Sequence, residues 1–361
     1  MGNNYRLDVY NTSGSLQYVL TDFNYLMYTR RVNSPGVIQF GIPGDHAMMS
    51  SVADKWQVEI WRKPDGSDWG RELTGLLRQV TWRYTDQSYA ELFCNGLMSM
   101  LGWRVVAWYA NTDDRSAFTS EKAETIGNLL VKYNGTTDAT AANGRLRDGA
   151  ISGLTVEADG TAGNTIDFYC AYANLLTALK DLATVGGGDF DLVKTSSTAW
   201  QYRWYDGQLG TNRASTVTFA MNRGNMANPI YKDDHIDEAT VAIVGGQGEG
   251  DSRTTAIRTS SDYHITTNNI ETFVHATDIN ADGSLDTRGD EKLKTLRSKQ
   301  SFEFDVLQIP STQYGVDYTL GDLVTVVNPY NNTEYTMKIE AVHVSINQNG
   351  DETIKVEMVT Q

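Results

Sequence analysis

The sequence predicts a mainly β protein with an α/β middle region and two related β-barrel-like domains. Three observations carry this reading. Apolar and polar residues alternate with period 2 at both ends of the chain, between turns rich in Gly, Pro and Asn. Helical spacing is confined to the middle and to one short late segment. Finally, one strand script occurs twice. The first copy starts at Asp54, runs through Trp56, Val58 and Ile60, turns at Pro64-Asp65-Gly66, rises from Gly75 to Trp82 and closes from Tyr89 to Phe93. The second starts at Asp322, runs through Val324 and Val326, turns at Asn328-Pro329, climbs from Met337 to Val344 and closes from Glu352 to Glu357.

Taken in order, Leu7 and Val9, Leu16 to Leu20 and Tyr25 to Val32 are expected strands of an antiparallel domain. Val37 to Phe40 follows them after a turn at Ser34-Pro35-Gly36. Ser120 is the expected N-cap of a helix with Ala123, Ile126, Leu129, Leu130 and Tyr133 on its apolar face. A second helix is expected to align Phe168, Ala171, Tyr172, Leu175, Leu179 and Leu182 and to stop at Gly186-Gly187-Gly188. Residues 189–193 and 200–205 then read as a hairpin, and a short helix is expected from Glu291 to Lys299. These shifts in pattern divide the chain into domains at 1–110, 111–225 and 226–361.

Composition narrows the function classes. With 361 residues, 40% hydrophobic and 21% charged, the chain can bury a sizeable core. A formal charge of -15 and basic runs no longer than Arg30-Arg31 or Arg62-Lys63 argue against a nucleic-acid-binding surface. No window of about 18 apolar residues marks a membrane span, and the start Met1-Gly2-Asn3-Asn4-Tyr5 does not read as a secretory leader. Cys94 and Cys170, expected in a strand and a helix, read as buried free thiols.

Several motifs fall short of a chemistry. The glycine-rich stretch 245–250 lacks the Gly-Lys-Ser/Thr ending of a phosphate loop and reads as a strand-to-strand connection. Asp278 to Asp286 imitates the first nine positions of a calcium loop, but Gly289 stands where a bidentate Glu belongs, and a polar turn explains the same residues. His46, His235, His264, His275 and His343 share no metal-binding spacing, and there is no Gly-x-Ser-x-Gly elbow. No catalytic, cofactor-binding or metal-binding residue is therefore assigned. Trp200, Tyr202, Trp204 and Tyr205 offer stacking surface for a glycan, yet the first three share one strand face, as core residues do.

The order of certain stretches resembles tail-tip hub proteins of long-tailed phages. Over 26–36 these are Leu26-Met27-Tyr28-Thr29-Arg30-Arg31 and Asn33-Ser34-Pro35-Gly36, followed by 54–62 and Glu72 to Leu76. In the last third they are Val241 to Gly250, Arg253, Ile270 to Val274, Leu293 to Leu296 and Tyr318 to Val326. The middle region matches least. The resemblance implies a baseplate-hub arrangement, also seen in contractile-tail hubs and type VI secretion spikes. In it, each chain carries two related barrels and three chains form a ring of six. It further implies a virion structural protein at the distal end of the tail, without catalysis or cofactor. Its partners would be two further copies, a tail tube or distal tail protein, a tape-measure protein and tip or fibre proteins. DNA would pass through such a ring without specific binding, which the acidic balance suits.

Two other classes compete with this reading. One is a host carbohydrate-recognition module built on the aromatic cluster. The other is a tail-associated cell-wall hydrolase with paired carboxylates. Such hydrolases are usually appended domains, and none is expected in a chain that ends at Gln361, immediately after the second barrel.

Overall fold

The computed structural model describes residues 4–64, 66–84, 88–112, 115–264, 267–277, 279 and 285–360. The N-terminal module consists of β1 (Tyr5–Tyr10), β2 (Leu16–Leu20), β3 (Tyr25–Arg31), β4 (Ser34–Pro43), β5 (Gln57–Arg62), β6 (Gly70–Tyr84) and β7 (Ser88–Gly96). All pair antiparallel, in the sheet order β2-β1-β5-β6-β7-β4-β3. Alternation sets the inner face: Leu26, Tyr28, Ile38, Phe40, Val58, Ile60, Leu77, Ala90, Leu92 and Cys94 are buried. The turn before β4 lies at Val32-Asn33 rather than at Ser34-Pro35-Gly36, which opens the strand itself. Asn33 takes the left-handed conformation there (φ 52°), which Asn tolerates better than other side chains.

The middle region contains β8 (Ser116–Lys122), α1 (Ala123–Gly135), β9 (Leu154–Val156), β10 (Thr165–Cys170), α2 (Leu175–Gly186), β11 (Gly188–Ser196) and β12 (Ala199–Asp206). It has its own core, in which Ile126, Leu130, Leu179 and Leu182 of the helices pack with Phe190, Trp200, Tyr202 and Trp204 of the β11–β12 hairpin. Three expectations shift. Ser120 is part of β8, not a cap, because carbonyls of Asn164 and Ala162 already receive the first N–H groups of α1. The second helix starts at Leu175, where the Asn174 side chain accepts from the N–H groups of Leu176 and Thr177. Phe168 and Cys170 consequently lie on β10, facing β8. The end of α2 is as expected, with Gly187 in the left-handed cap position (φ 69°).

The C-terminal module begins with β13 (Thr218–Phe219) and β14 (Met226–Asp234). A small inserted unit follows, with β15 (Val241–Gly245), β16 (Thr255–Thr259), β17 (Glu271–His275) and α3 (Leu285–Thr295) around its own apolar cluster. Helix α3 starts and ends earlier than expected, because Lys299 already pairs with Asp234 in the next strand. The module resumes with β18 (Lys299–Val306), β19 (Leu323–Val327), β20 (Glu334–Ile346) and β21 (Glu352–Val359).

Pairing registers turn the duplicated script into a residue-by-residue equivalence. The sheet order β5-β6-β7-β4-β3 recurs as β19-β20-β21-β18-β14, and in each case the chain visits the strands in the same sequence. The long strand of each copy carries a bulge at the same place, at Arg78 in β6 and Glu340 in β20. Counting from there, Leu77 matches Ile339, Val80 matches Val342 and Tyr84 matches Ile346. Phe40 matches Phe304 and Tyr28 matches Tyr231 by the same count. Asp54 and Asp322 are not equivalent; Asp322 corresponds to Trp56, since the N–H groups of Leu77 and Ile339 donate to the carbonyls of Trp56 and Asp322.

Candidate functional site

A chain with two like modules has one obvious place for function, the joint between them. There β3 of the N-terminal module pairs antiparallel with β20 of the C-terminal module, from Leu26 opposite Ile346 to Arg31 opposite Ala341. The pairing merges both modules into one 13-stranded sheet over a shared core. On the inner face, Leu26, Tyr28, Val342, Val344 and Ile346 are all buried, none more than 4% exposed. Burial on this scale contributes roughly 1.5–3 kcal/mol per large side chain, which makes the joint a core rather than a hinge.

Ionic contacts close both sides of the joint. On one side, the Arg62 guanidinium donates to Glu352 (2.9 and 3.0 Å), to the Tyr5 hydroxyl (2.7 Å) and to the Tyr314 carbonyl (2.7 Å). Arg30 donates to the Tyr314 hydroxyl at 2.9 Å and pairs with Glu72 at 3.2 Å. Burial alone would lower the Arg30 and Arg62 pKa values, but the neighbouring phenols and carboxylates raise both. Both guanidiniums stay charged. Burial first, then the nearby Glu352 carboxylate, pushes the Tyr5 hydroxyl well above its ordinary value. On the other side, His343 contacts Thr29 Oγ1 (2.9 Å) and Glu357 (2.6 Å), which also accepts from Arg31 (3.0 Å).

Strand β11 anchors the middle region across this joint. Near its start, the Asp189 carboxylate accepts from Lys338 Nζ of β20 (2.7 and 2.8 Å), from Asn33 Nδ2 of the β3–β4 turn (2.8 Å) and from the Leu209 N–H (2.7 Å). Near its end, Lys194 Nζ meets Glu59 Oε1 (2.9 Å) and Gln57 Oε1 (2.7 Å), both on β5, and lies over the Tyr10 ring. Asp189, Lys194, Glu59 and Lys338 are all below 9% exposed. Sequence reasoning missed all four. Alternation puts Glu59 and Lys338 on the outer strand faces, which read as solvent-facing until the middle region covers them.

Other residues singled out in the sequence fall elsewhere. Among the described residues no group of three or more His, Cys, Asp or Glu side chains could hold a metal ion. His46 caps a short turn by accepting from the Met48 N–H, and His235 contacts Asp233 and Glu238 at the surface. His264 and His275 lie in the inserted unit, away from the joint that holds His343. Cys94 and Cys170 are buried thiols. Of the glycine-rich stretch, Gly245 closes β15 and residues 246–250 enter the connection to β16. Trp200, Tyr202 and Trp204 are only 7%, 0% and 6% exposed, so they build the middle core, while Tyr205 on the other strand face is half-buried. The candidate calcium loop, with Asp278 and residues 280–284, lies outside the described residues, and Asp286 pairs with Arg258.

The family model that matches the chain, over residues 6–358, is that of the Siphovirus ReqiPepy6 Gp37-like proteins. No curated protein matches the sequence. Among solved structures, the fold is similar to the 43 kDa tail protein of prophage MuSo2 from Shewanella oneidensis, with a TM-score of 0.61 and 13% identity over 99% of this chain and 98% of that one. A tail protein from Neisseria meningitidis MC58 aligns with a TM-score of 0.58 and 11% identity, over 99% and 97% of the two chains. The Francisella PdpA-VgrG complex contains a chain that aligns with a TM-score of 0.53 and 8% identity, over 99% of this chain and 52% of that one.

Proposed function

We propose, from the premise that the chain belongs to the Siphovirus ReqiPepy6 Gp37-like protein family, that it is a structural component of a phage tail and acts there as a hub. In this role, three chains form a ring of six like modules that joins a sixfold tail tube to a threefold tip. The observation that carries the reading is the repeated strand order, with both copies fused edge to edge into one sheet. A catalytic cleft does not need its scaffold twice; a ring that must present six similar contacts from three chains does. The similarity to phage tail proteins over nearly the full length of each chain supports the same role.

The hub would sit at the distal end of the virion tail. It would contact the tail tube or distal tail protein and the tape-measure protein on one side, and tip or fibre proteins on the other. DNA would leave through the ring, and the charge of -15 would keep phosphate from adhering to its wall. The division at 1–110, 111–225 and 226–361, with the C-terminal module reaching back to β13 through its pairing with β19, would give two ring modules and a middle domain braced across their joint. Light scattering with negative-stain imaging tests the role. The expected result is a mass of three 40.1 kDa chains and a ring with a pseudo-sixfold outline. A particle of any other copy number overturns it.

A further inference from the structure

The internal joint uses one edge of each module and leaves the matching edge of each module open. In the C-terminal module the second half of β20 is covered by β3, on the edge opposite β21. The equivalent half of β6 pairs with β7 on one edge, and among the described residues no strand covers the other from Gln79 to Tyr84. β3 has its counterpart in β14, which pairs with β18 and whose outer edge no strand covers among the described residues. One chain thus carries an unused acceptor strand and an unused donor strand, each a copy of a partner in a joint that already exists.

We infer that β14 of one chain pairs with β6 of the next, antiparallel and in the register of the internal joint. This inference rests on the ring reading above and supplies its interface. Transferring the internal register places Trp82 opposite Tyr231, Thr81 opposite Lys232, Val80 opposite Asp233 and Gln79 opposite Asp234. Pairing ends at Pro229, which has no N–H to give.

Three independent features of the open edges fit a missing partner. First, the inner-face positions that are buried in the internal joint are bare here. Trp82 is 48% exposed where its counterpart Val344 is 2%, and Tyr84 is 81% exposed where Ile346 is 4%. Secondly, the outer-face match also holds. Ile230 is exposed at 57%, and its counterpart Met27 stays 42% exposed even inside the formed joint. Thirdly, the charges change sign on both partners together. Internally, the strand with Arg30 and Arg31 runs beside the bulge at Glu340, whose carbonyl accepts from the Val32 N–H. At the open edges, Asp233 and Asp234 stand on the donor strand and Arg78 at the acceptor bulge. The joint therefore accepts the opposite module and opposes pairing between two copies of the same one, because β3 would bring Arg30 and Arg31 to Arg78. Such alternation is heterologous, with each chain giving one edge and receiving another, and it suits a closed ring. It also removes two exposed strand edges that would otherwise template aggregation.

The test is oxidative cross-linking of the full chain carrying Thr81→Cys and Lys232→Cys. Directly opposed residues lie about 4.5–5.5 Å apart in an antiparallel pair, within disulfide reach. The native thiols are buried, so the parent chain is the blank. The expected result on a non-reducing gel is a covalent trimer, absent from the two-residue slip control Thr81→Cys with Asp234→Cys. A trimer by light scattering without the in-register cross-link overturns the pairing and leaves the ring standing. A monomer at the highest soluble concentration overturns both. As a second readout, Trp82→Asp is expected to abolish the trimer with no change in the melting of the monomer. A trimer that survives Trp82→Asp overturns the pairing.

Discussion

At the apolar rows the N-terminal and C-terminal modules are nearly interchangeable. Val58 stands where Val324 does, Ile60 where Val326 does, Leu92 where Val356 does, and the two phenylalanines Phe40 and Phe304 coincide. The outer rows diverge at once. Glu59 faces Thr325 in the equivalence, and Leu76 faces Lys338. Shape is inherited through the inner face, where volume and alternation decide, while the outer face records what each copy must touch. The middle region touches both copies, but with opposite ends of β11, so each copy needed a different charge.

Removing one of those charges breaks the comparison most strongly. Asp189→Ala leaves the buried Lys338 ammonium with only its longer contact to Glu340 (3.4 Å) and frees the Asn33 amide as well. A buried pair broken on one side costs about 3–5 kcal/mol, and urea unfolding should register it. Lys338→Met combined with Asp189→Leu is expected to recover most of that loss, since no buried charge is left unpaired. If Asp189→Ala unfolds like the parent, β11 is not what fixes the middle region to the joint.

The next largest effect separates the formed joint from the open one. Tyr28 and Tyr231 are equivalent, yet the first is 2% exposed and its partner strand is present. Truncating a large buried aromatic costs about 3–5 kcal/mol. Tyr28→Ala should therefore lower monomer stability by that amount. Tyr231→Ala, which loses half-buried contacts with Phe302 and Tyr335, should cost about 1 kcal/mol. Equal losses would mean that the two positions are not in equivalent settings.

How much of this was legible in the sequence follows from the same division between faces. The β scaffold and its repetition were legible, because Val324 and Val326 or Val58 and Ile60 follow period 2 without interruption. The start of the repeat was misaligned by two residues. Acidic Asp54 and Asp322 look alike, but one is exposed and the other is fully buried, accepting from the Thr211 and Thr319 N–H groups. The helices were legible by their apolar faces but not by their starts. At Ser120 a backbone carbonyl did the work of a cap, and at Phe168 a strand residue happened to continue the helical spacing. The four buried charges that anchor the middle region were illegible, because their burial depends on residues more than a hundred positions away. The open strand edges were illegible for the same reason, since an edge is defined by what does not pair with it.

A smaller effect tests the equivalence at one backbone position. Lys55 and Gly321 both precede the first strand of the script, and both have positive φ (64° and 85°). Their N–H groups donate to the carbonyls of Leu77 and Ile339, which are equivalent. A left-handed residue with a side chain costs roughly 1–2 kcal/mol, so Lys55→Gly should stabilise the N-terminal module by up to about 1 kcal/mol. Gly321→Ala should do the reverse and more, because its Cβ would lie 2.7 Å from the Gly210 nitrogen. A thermal melt in which Lys55→Gly is destabilising would break the match at this turn.

The smallest effect depends on pH and belongs to the formed joint alone. Burial pushes the Glu357 carboxyl up, but hydrogen bonds from Arg31 and His343 outweigh it and hold the pKa below its usual 4.5. A carboxyl depressed on folding contributes its stability above the unfolded value and loses it as pH falls through the folded one. The joint should therefore soften below about pH 4.5, and by less than about 1 kcal/mol, since the group is partly exposed and screened. The equivalent position in the N-terminal module is Phe93, which does not titrate. Glu357→Gln should flatten the fall in urea midpoint as the pH drops below about 4.5, whereas Phe93→Leu should leave its slope unchanged. If Glu357→Gln keeps the full slope, other carboxylates govern the acid response, and the Arg31–Glu357–His343 cluster is a surface contact without weight in the joint.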